Sequence, residues 1–531
     1  MRTAEILECS RRDHAEREAV VCGSTRLTYA QLGERVDRLT SALMSLGLSQ
    51  GTRVAILAHN CHRYLEAYFA AAAAGTVLVP VNHRLASREV AEVLVDCEAA
   101  ALLVDPSFLG ICDSIRPELS GLKHVIVLTD QDPDHGLAYE GLLRQAPDSS
   151  RRVFRNGDEL LYLYYTSGTT GLPKGVMLSE DSIQFMVDSY QEYVNFTASD
   201  RYLHVLGLGH RAGLGLLLAI VRAGGCAHLD DFNALRCLQS LQEEGISVAA
   251  LVPTMINTVL NLPDAARFDL SALRLLIYGA SPMPEALIRR VSEAFGVGLL
   301  QTYGMTELTT VSFLPSHAHA LEGTEAKVRK LRSVGPPVRD IEVRLVDEFD
   351  RDVPRGEVGE VIVRGPCVMM GYWNQPEATA AALRGGWMHT GDMATMDEDG
   401  YLYLVDRKKD MIISGGENVY STEVEAVLYQ HPAVVEAAVI GVPDSIWGET
   451  VKALVVLKAG QITSAEALQR FCRERIAGYK VPRSVEFLES LPKTATGKIS
   501  KKDLRAPYWA AQVEHGSLTH ALFAANLPGG R

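Results

Sequence analysis

The stretch that decides the fold is residues 165–175, which read YTSGTTGLPKG and directly follow the apolar run 160–164. A short apolar run predicts a buried strand, so the stretch lies at a strand exit. Glycine lets backbone N–H groups approach a polyphosphate closely, and Lys174 can neutralise charge on its terminal phosphates. The residues that offer hydroxyls or free backbone are Thr166, Ser167, Gly168, Thr169, Thr170, Gly171 and Gly175. The stretch predicts a phosphate-binding loop. It is not the P-loop pattern GxxxxGK followed by Ser or Thr, because Pro173 and Gly175 flank Lys174.

Strand and helix patterns alternate from residue 53 to about residue 300. The runs that read as buried strands are 54–57, 77–81, 101–104, 125–128, 160–164 and 275–278. Amphipathic stretches such as 284–295 lie between them, and another at 29–46 precedes the first run. This alternation predicts doubly wound parallel sheets with helices on their faces. Two uncharged stretches, 67–81 and 245–263, contain Gly or Pro and predict buried segments rather than bilayer spans.

The pattern changes twice in the C-terminal half. Between 334 and 404, β-rich segments separated by Gly, Pro and Asp predict a small β-barrel or sandwich. After Asp406, a helix capped by Ser421, a strand at 434–442 and a helix near 465–476 predict a compact α+β unit. We therefore expect an α/β protein whose parts are a large domain at 1–405, a linker at 406–410, a small C-terminal domain at 411–505 and a tail at 506–531.

Composition excludes several classes of protein. The 531 residues carry 52 Lys and Arg against 65 Asp and Glu, a net charge of −13. This balance gives no support to binding of nucleic acid or an anionic membrane, which requires clustered cations. Nine scattered cysteines without a CxxC predict reduced thiols in the cytoplasm rather than a disulfide scaffold or zinc site. The N-terminus lacks the apolar core of a signal peptide.

Five further motifs follow the phosphate loop along the chain. They are YGASP at 278–282, QTYGMTE at 301–307, TGD at 390–392, DRKKDMIISGGENV at 406–419 and LPKTATGK at 491–498. In this order they resemble the adenylate-forming superfamily, which includes acyl- and aryl-CoA synthetases, adenylation domains of peptide synthetases and firefly luciferase. The resemblance spans nearly the whole chain. It implies a large domain that binds ATP and the acid, and a mobile C-terminal lid domain.

The resemblance implies an ATP site assembled from several motifs, beginning with the phosphate-loop residues given above. In the family, the tyrosine of the motif QTYGMTE packs on adenine, its threonine contacts the α-phosphate and its glutamate holds Mg²⁺. These positions are Tyr303, Thr306 and Glu307, and a carboxylate is a suitable hard ligand for Mg²⁺. Asp392 matches the aspartate that binds both ribose hydroxyls, and Arg407 resembles the arginine that reaches the nucleotide. Further nucleotide contacts are implied at Gly279, Ala280, Ser281 and Gly304.

The resemblance also implies a catalytic lysine and a second conformation. The family's mobile catalytic lysine matches Lys498 rather than Lys493, and Thr306 and Glu307 would act with it. Lys409 matches the residue about which the small domain rotates. In the rotated state, CoA would contact Gly415, Gly416 and Lys480.

The acyl site is implied by GLGHRAG at 207–213, which resembles the family's PxFHxxG. His210 fits the histidine that borders the acyl group, and Gly279, Thr302 and Met305 would complete this site. The pattern departs at Gly207 and Gly209, where proline and an aromatic residue are usual. Arg211 is interpreted either as a plain surface residue or as a partner of a polar group on the acid or nucleotide. Thr302, where many long-chain enzymes carry glycine, favours an aryl or short-to-medium acyl substrate.

The implied activity is an ATP-dependent carboxylic acid–CoA ligase. A carboxylate and ATP would give an acyl-adenylate and pyrophosphate, and CoA would then form a thioester and release AMP. ATP, Mg²⁺ and coenzyme A are the expected cofactors, with a small carboxylic acid as the other partner. Three alternatives remain at this stage: transfer to a carrier protein or another nucleophile, a luciferase-like adenylating oxidoreductase, and a non-catalytic nucleotide-binding protein. Retention of Lys174, Glu307, Asp392, Arg407 and Lys498 together counts against the last.

Overall fold

A computed structural model describes residues 1–147, 152–166, 173–281, 283–415, 417–444, 446–494 and 498–509. The strands in chain order are β1 (Glu18–Cys22), β2 (Thr25–Thr28), β3 (Arg53–Leu57), β4 (Val77–Val81), β5 (Ala101–Val104), β6 (His124–Val127), β7 (Leu137–Ala138), β8 (Leu160–Thr166), β9 (Lys174–Ser179), β10 (Arg201–His204), β11 (Cys226–Leu229), β12 (Val248–Leu251), β13 (Leu275–Gly279), β14 (Gly298–Met305), β15 (Leu308–Leu314), β16 (Glu342–Val346), β17 (Gly359–Arg364), β18 (Gly371–Tyr372), β19 (Met388–Met396), β20 (Leu402–Arg407), β21 (Ile412–Ser414), β22 (Glu417–Val419), β23 (Val434–Asp444), β24 (Gly448–Leu457) and β25 (Ser484–Phe487).

The α-helices account for the amphipathic and uncharged stretches of the sequence. They are α1 (Thr3–His14), α2 (Tyr29–Ser45), α3 (His62–Ala74), α4 (Ser87–Asp96), α5 (Leu109–Ile115), α6 (Tyr139–Gln145), α7 (Glu180–Val194), α8 (Leu214–Arg222), α9 (Ala234–Glu243), α10 (Pro253–Leu260), α11 (Glu285–Phe295), α12 (Glu325–Arg329), α13 (Pro376–Ala382), α14 (Ser421–Leu428) and α15 (Ala465–Arg473). No helix in the described ranges is both long enough and apolar enough to cross a bilayer. All nine cysteines are free thiols.

Two large sheets share one layer of helices. Their strand orders are β15-β14-β13-β12-β10-β11-β1-β2 and β18-β9-β8-β4-β3-β5-β6-β7. Side chains of α3 and α8 pack in a single apolar core with residues of both sheets, while α4 and α5 cover the outer face of one sheet and α9 to α11 that of the other. The predicted α/β fold is confirmed. The parallel strands form the centre of each sheet, and antiparallel strands form edges, as β1–β2 and β14–β15 do.

The β-rich region between 334 and 404 forms an antiparallel sheet in the order β16-β17-β19-β20. Its first and last strands do not pair with each other within the described residues, so the unit is an open sheet rather than a closed barrel, one of the two forms that the sequence predicts. Strands β19 and β20 pair Asp392 with Arg407 directly across the sheet. This register brings the TGD motif beside the start of the linker.

The C-terminal unit is built on β23 and β24, flanked by β21, β22 and β25. Ser421 is the first residue of α14 rather than its cap, so that prediction was wrong. Asp406 supplies the missing acceptor, because its Oδ2 accepts from the Ser421 N–H (2.5 Å) and hydroxyl (2.7 Å). A further helix over 501–509 extends past Arg505, the predicted end of this unit. Trp509 Nε1 at its end donates to the Gly441 carbonyl (3.2 Å). Residues 506–509 therefore belong to this unit, and 510–531 lie outside the described residues.

Candidate active site

The phosphate loop connects two antiparallel strands rather than a strand and a helix. Thr166 ends β8 and pairs with Lys174, which begins β9. The predicted phosphate contacts at Ser167, Gly168, Thr169, Thr170 and Gly171 lie outside the described residues. Lys174 Nζ lies 4.9 Å from the centre of the Tyr372 ring. Lys174 and Tyr372 therefore form a cation–π contact at the start of β9.

Glu307 lies on the same aromatic ring as Lys174. Thr306 and Glu307 are the two residues of the hairpin turn between β14 and β15, because Met305 pairs with Leu308. Glu307 is buried, and its Oε1 accepts from the Tyr372 hydroxyl at 3.0 Å. Tyr372 therefore joins a predicted metal ligand to a predicted phosphate ligand.

Three residues from different motifs form a connected set, which we call the nucleotide side. The Tyr303 hydroxyl donates to Asp392 Oδ2 at 2.8 Å, and Arg407 Nε lies 3.1 Å from Asp392 Oδ1. Tyr303 and Asp392 are both buried. Burial and the Asp392 carboxylate raise the pKa of Tyr303 well above its ordinary value. The TGD motif, the tyrosine of QTYGMTE and the linker arginine thus meet in the folded chain.

The turn after β13 approaches β14 closely. A Cβ at Gly279 would lie 2.4 Å from the Thr302 carbonyl oxygen, so a side chain cannot fit there. Ala280 follows with φ +65°, a left-handed conformation that costs an L-residue free energy and that tends to occur at functional turns. Ser281 continues this turn, and Gly304 packs against the backbone of β15 in the same way as Gly279 does against β14.

Lys498 comes from the C-terminal unit, and its N–H donates to Thr494 Oγ1 at 3.2 Å. Burial and the positive charge of Arg407 lower the pKa of Lys498 to about 8, although Asp392 and Glu307 act in the opposite direction. Lys493 is used differently, because its Nζ pairs with Glu436 of its own unit at 2.6 Å. The two lysines of this motif therefore have different surroundings.

A second group, which we call the acyl side, comprises His210, Arg211, Tyr190 and Thr302. His210 and Arg211 lie on the loop between β10 and α8. Burial lowers the pKa of His210 to about 4, and the charge on Lys498 acts in the same direction. His210 Nε2 is buried and has no hydrogen-bond partner among the described residues. The Tyr190 hydroxyl lies 3.4 Å from Thr302 Oγ1.

The unusual glycine of the acyl loop has a packing reason. A Cβ at Gly209 would lie 2.7 Å from the Val81 carbonyl oxygen and 2.8 Å from Asn82 Cα. Backbone of the chain after β4 therefore occupies the place that an aromatic side chain would need. Met305, the remaining predicted acyl contact, is partly buried at the end of β14.

Two of the residues predicted to contact CoA, Gly415 and Lys480, make contacts within the C-terminal unit. Gly415 has φ +63°, and a Cβ there would lie 2.5 Å from the Trp447 ring. Lys480 Nζ pairs with Glu423 Oε2 at 2.7 Å. Gly416 lies outside the described residues. At the linker, the Lys409 carbonyl oxygen accepts from Arg505 Nη1 at 3.0 Å.

Comparison with family models agrees with this geometry. The AMP-binding enzyme model matches residues 7–373, and the AMP-binding enzyme C-terminal domain model matches residues 423–498. The chain belongs to the AMP-binding enzyme family. The resemblance to adenylate-forming enzymes inferred from the motifs is thereby confirmed.

Similar proteins cover almost the whole of this AMP-binding enzyme. A feruloyl-CoA synthase of an Amycolatopsis species is 40% identical over 489 residues, which cover 92% of this chain and 95% of that protein. An indoleacetate–CoA ligase of Aromatoleum aromaticum is 38% identical over 482 residues, with 90% and 92% covered. The solved structure of an anthranilate CoA ligase in complex with anthranoyl-AMP superimposes with a TM-score of 0.89 at 30% identity, covering 96% of this chain and 98% of that one.

Two residues of this AMP-binding enzyme escaped the sequence-based prediction. Tyr372 links Lys174 to Glu307, but its segment carries no polar motif that would indicate such a role. Trp447 lies in the turn between β23 and β24 and packs against Gly415. The two residues come together only when the C-terminal unit folds. Both contacts join residues that are distant in sequence.

Proposed function

We propose that this protein is an AMP-forming acid–CoA ligase whose acid is an aryl or short-to-medium carboxylic acid. The carboxylate attacks the α-phosphorus of ATP, pyrophosphate leaves, and the thiol of CoA then displaces AMP from the acyl-adenylate. The observation that carries the proposal is that Tyr303, Asp392 and Arg407, from three separate motifs, come together at 2.8 and 3.1 Å.

In this proposal the nucleotide side orients ATP. A carboxylate accepts hydrogen bonds from two neighbouring hydroxyls, so Asp392 would hold the ribose while Tyr303 supports both Asp392 and adenine. Lys174, Arg407 and Lys498 supply positive charge for the phosphates. Such preorganised charge is what a phosphate transfer requires of a protein, since little covalent chemistry is asked of it.

Glu307 suits a magnesium ion that is shared with ATP. The described residues contain no group of three or more His, Cys, Asp or Glu placed to hold a metal by themselves. Mg²⁺ is commonly held by one or two carboxylates plus substrate phosphates, which agrees with one buried glutamate beside the phosphate loop. When bound, the ion would stabilise negative charge on the phosphates.

Lys498 would serve the first half-reaction only. Its ammonium contacts the substrate carboxylate and the α-phosphate, and it must leave before a thiol can enter. We propose that residues 1–405 form one body and that the C-terminal unit, 411–509, rotates about Lys409 within the linker 406–410. That rotation would replace Lys498 by the face carrying Gly415 and Gly416, and would bring Lys480 towards CoA phosphate.

Two observations support an aryl or short-to-medium acid. Thr302 and Tyr190 narrow the acyl side, because their hydroxyl oxygens lie 3.4 Å apart. The relatives and the solved structure described above are named for ferulate, indoleacetate and anthranilate, all of which are aryl acids. CoA is the acceptor in each of those names.

The test is acid-dependent exchange of labelled pyrophosphate into ATP, followed by addition of CoA. Benzoates, phenylacetates, phenylpropanoates and linear acids of increasing length form the panel. We expect exchange with at least one aryl acid, and then thioester and AMP in equal amounts when CoA is present. Absence of exchange with every acid would overturn the proposal, and exchange without thioester would replace CoA by another acceptor.

A further inference from the structure

Arg211 is a buried cation on the acyl side. It is 9% exposed and lies next to His210 on the loop between β10 and α8. Nη1 donates to the Thr309 carbonyl oxygen and lies 3.4 Å from Met186 Sδ. Nε is buried and makes no hydrogen bond within the part of the chain that the structure describes. The surface-residue interpretation of Arg211 is therefore wrong.

The charge of Arg211 is poorly compensated by the protein. In the described ranges, no carboxylate forms a hydrogen bond or ion pair with its guanidinium, and its two contacts are neutral. Burial lowers the pKa of Arg211 from its usual value, although Tyr190, Tyr164 and Glu307 favour the charged form. A buried charge without a partner is costly, and is normally retained where a partner arrives.

Arg155 is a second buried arginine, and its contacts are those of a structural residue. Arg155 is 4% exposed, and its Nε also lacks a partner among the residues described. Both of its terminal nitrogens nevertheless donate to backbone carbonyls, Nη1 to Leu160 (2.6 Å) and Nη2 to Thr76. These carbonyls lie where β8 and β4 begin, at the edge of the sheet away from the phosphate loop. Arg155 thus ties two strands together, whereas Arg211 uses only one of its terminal nitrogens in this way.

Arg211 contacts two elements that also border the acyl side. Met186 lies one turn before Tyr190 on α7, and Thr309 lies on β15, which pairs with the strand that carries Thr302. The positive charge of Arg211 also acts to lower the pKa of Lys498. Apart from burial, the largest influence on the pKa of Arg211 comes from Tyr190, whose hydroxyl lies close to Thr302. A group on the acid that reaches Tyr190 or Thr302 would therefore approach a guanidinium with unused donors.

We propose that Arg211 selects carboxylic acids that carry a second hydrogen-bond-accepting oxygen, and that a second carboxylate is bound most tightly. The inference rests on the proposed ligase function and refines its substrate class. A guanidinium can form two parallel hydrogen bonds with a carboxylate, and the pairing would neutralise both buried charges. An acid whose group at this point is apolar leaves Arg211 unpaired.

The experiment compares acids that differ by one ring substituent. Benzoate, phenylacetate and 3-phenylpropanoate are each tested with hydrogen, methyl, hydroxyl or carboxylate at the ortho, meta and para positions. For the best scaffold, we expect kcat/KM in pyrophosphate exchange to be at least about tenfold higher for the best carboxylate or hydroxyl derivative than for its methyl counterpart. A preference for the methyl compound in the unaltered protein would overturn the inference without any variant.

Three variants assign the preference to Arg211. Arg211→Met should reduce the ratio to less than about threefold, and Arg211→Lys should restore part of it because the charge returns. Arg155→Met is the matched control: it removes an equally buried arginine and should lower thermal stability, yet leave the ratio within about twofold of the original. An equal loss for all acids in Arg211→Met would instead assign Arg211 to the reacting carboxylate and overturn the inference.

A binding measurement separates failure of this inference from failure of the ligase proposal. Thermal shift of the unaltered protein with ring-carboxylated and methylated acids needs no catalysis. If exchange occurs but neither measurement distinguishes these acids, the Arg211 inference is wrong while the ligase function stands. If no acid supports exchange, the ligase proposal fails, and the thermal shift alone decides whether Arg211 binds an acceptor oxygen.

Discussion

The nucleotide side and the acyl side of the site differ in how their polar groups are satisfied. On the nucleotide side, Tyr303, Asp392 and Arg407 bind one another at 2.8 and 3.1 Å. On the acyl side, His210 Nε2 and Arg211 Nε are buried without partners among the described residues. A side that is preorganised by the protein suits a ligand that never changes, here ATP. On a side with unpaired polar atoms, the acid can supply the hydrogen-bond partners, and the acid differs between enzymes of the family.

The largest expected effect is at Lys498, where the two sides meet. Lys498→Ala should slow pyrophosphate exchange by about 10²–10³, because a preorganised charge at the reacting oxygens is lost. Thioester formation from preformed acyl-adenylate should fall much less. Lys493→Ala is the control, since that lysine pairs with Glu436 and should retain near-normal exchange. Equal losses in both half-reactions would contradict the assignment.

Lys409 tests the proposed rotation without altering either side of the site. The Lys409 N–H makes no backbone hydrogen bond among the described residues, so proline removes no such bond here. Proline fixes φ, however, and should prevent the backbone change that rotation needs. Lys409→Pro should keep most pyrophosphate exchange and lose most thioester formation, whereas Lys409→Ala should keep both. Full turnover of the proline variant would refute the hinge.

Asp392 tests whether the nucleotide side acts independently of the acid. Asp392→Asn removes a charged acceptor from Tyr303 and Arg407, and such bonds contribute about 1.5–3 kcal/mol. The KM for ATP should therefore rise about 10–100-fold, by the same factor with every acid. Asp397→Asn offers a matched control, because Asp397 accepts from the Tyr403 hydroxyl at 2.8 Å in the same sheet. A change in the KM for ATP of Asp392→Asn that depends on the acid would contradict the independence of the two sides.

Thr302 tests the acyl side by size. Its Cγ2 lies 2.8 Å from the place that a Cβ on residue 279 would occupy, so its side chain closes this part of the site. Thr302→Gly should raise kcat/KM for acids one or two carbons longer by about tenfold relative to the original substrate. Thr302→Ser keeps the hydroxyl beside Tyr190 and should change the profile little. An unchanged length profile in the glycine variant would place the acyl group elsewhere.

The smallest expected effect concerns stability and pH. The pKa of Lys498 is lowered from 10.5 to about 8, so burying its charged form costs stability in full below pH 8. That cost is relieved as pH rises from 8 towards 10.5. Lys498→Met should therefore raise the Tm of the ligand-free protein by about 2–4 °C at pH 7, and the gain should shrink near pH 10. Calorimetry checks this, and a lower Tm at pH 7 would contradict it.

The sequence predicted the nucleotide side better than the acyl side for a physical reason. The nucleotide residues belong to short strings that resemble the family's motifs, as TGD does for Asp392. For Arg211 the sequence left two interpretations open, a surface residue or a partner of a polar group, and only tertiary packing shows that it is buried. Ser421 was assigned as a cap because its own side chain suits one, but Asp406 supplies the acceptor from across the linker. Whether β16, β17, β19 and β20 close into a barrel likewise depends on which strands pair with each other. The residue pattern within each strand does not indicate this.

The central claim is that this site joins a carboxylate to the α-phosphorus of ATP. Turnover with an aryl acid labelled with ¹⁸O at both carboxylate oxygens tests it directly, because one of those oxygens remains on phosphorus when the thiol displaces AMP. We predict that mass spectrometry will find one ¹⁸O in every AMP formed and one in the thioester. Unlabelled AMP, or label in pyrophosphate or ADP, would contradict the account.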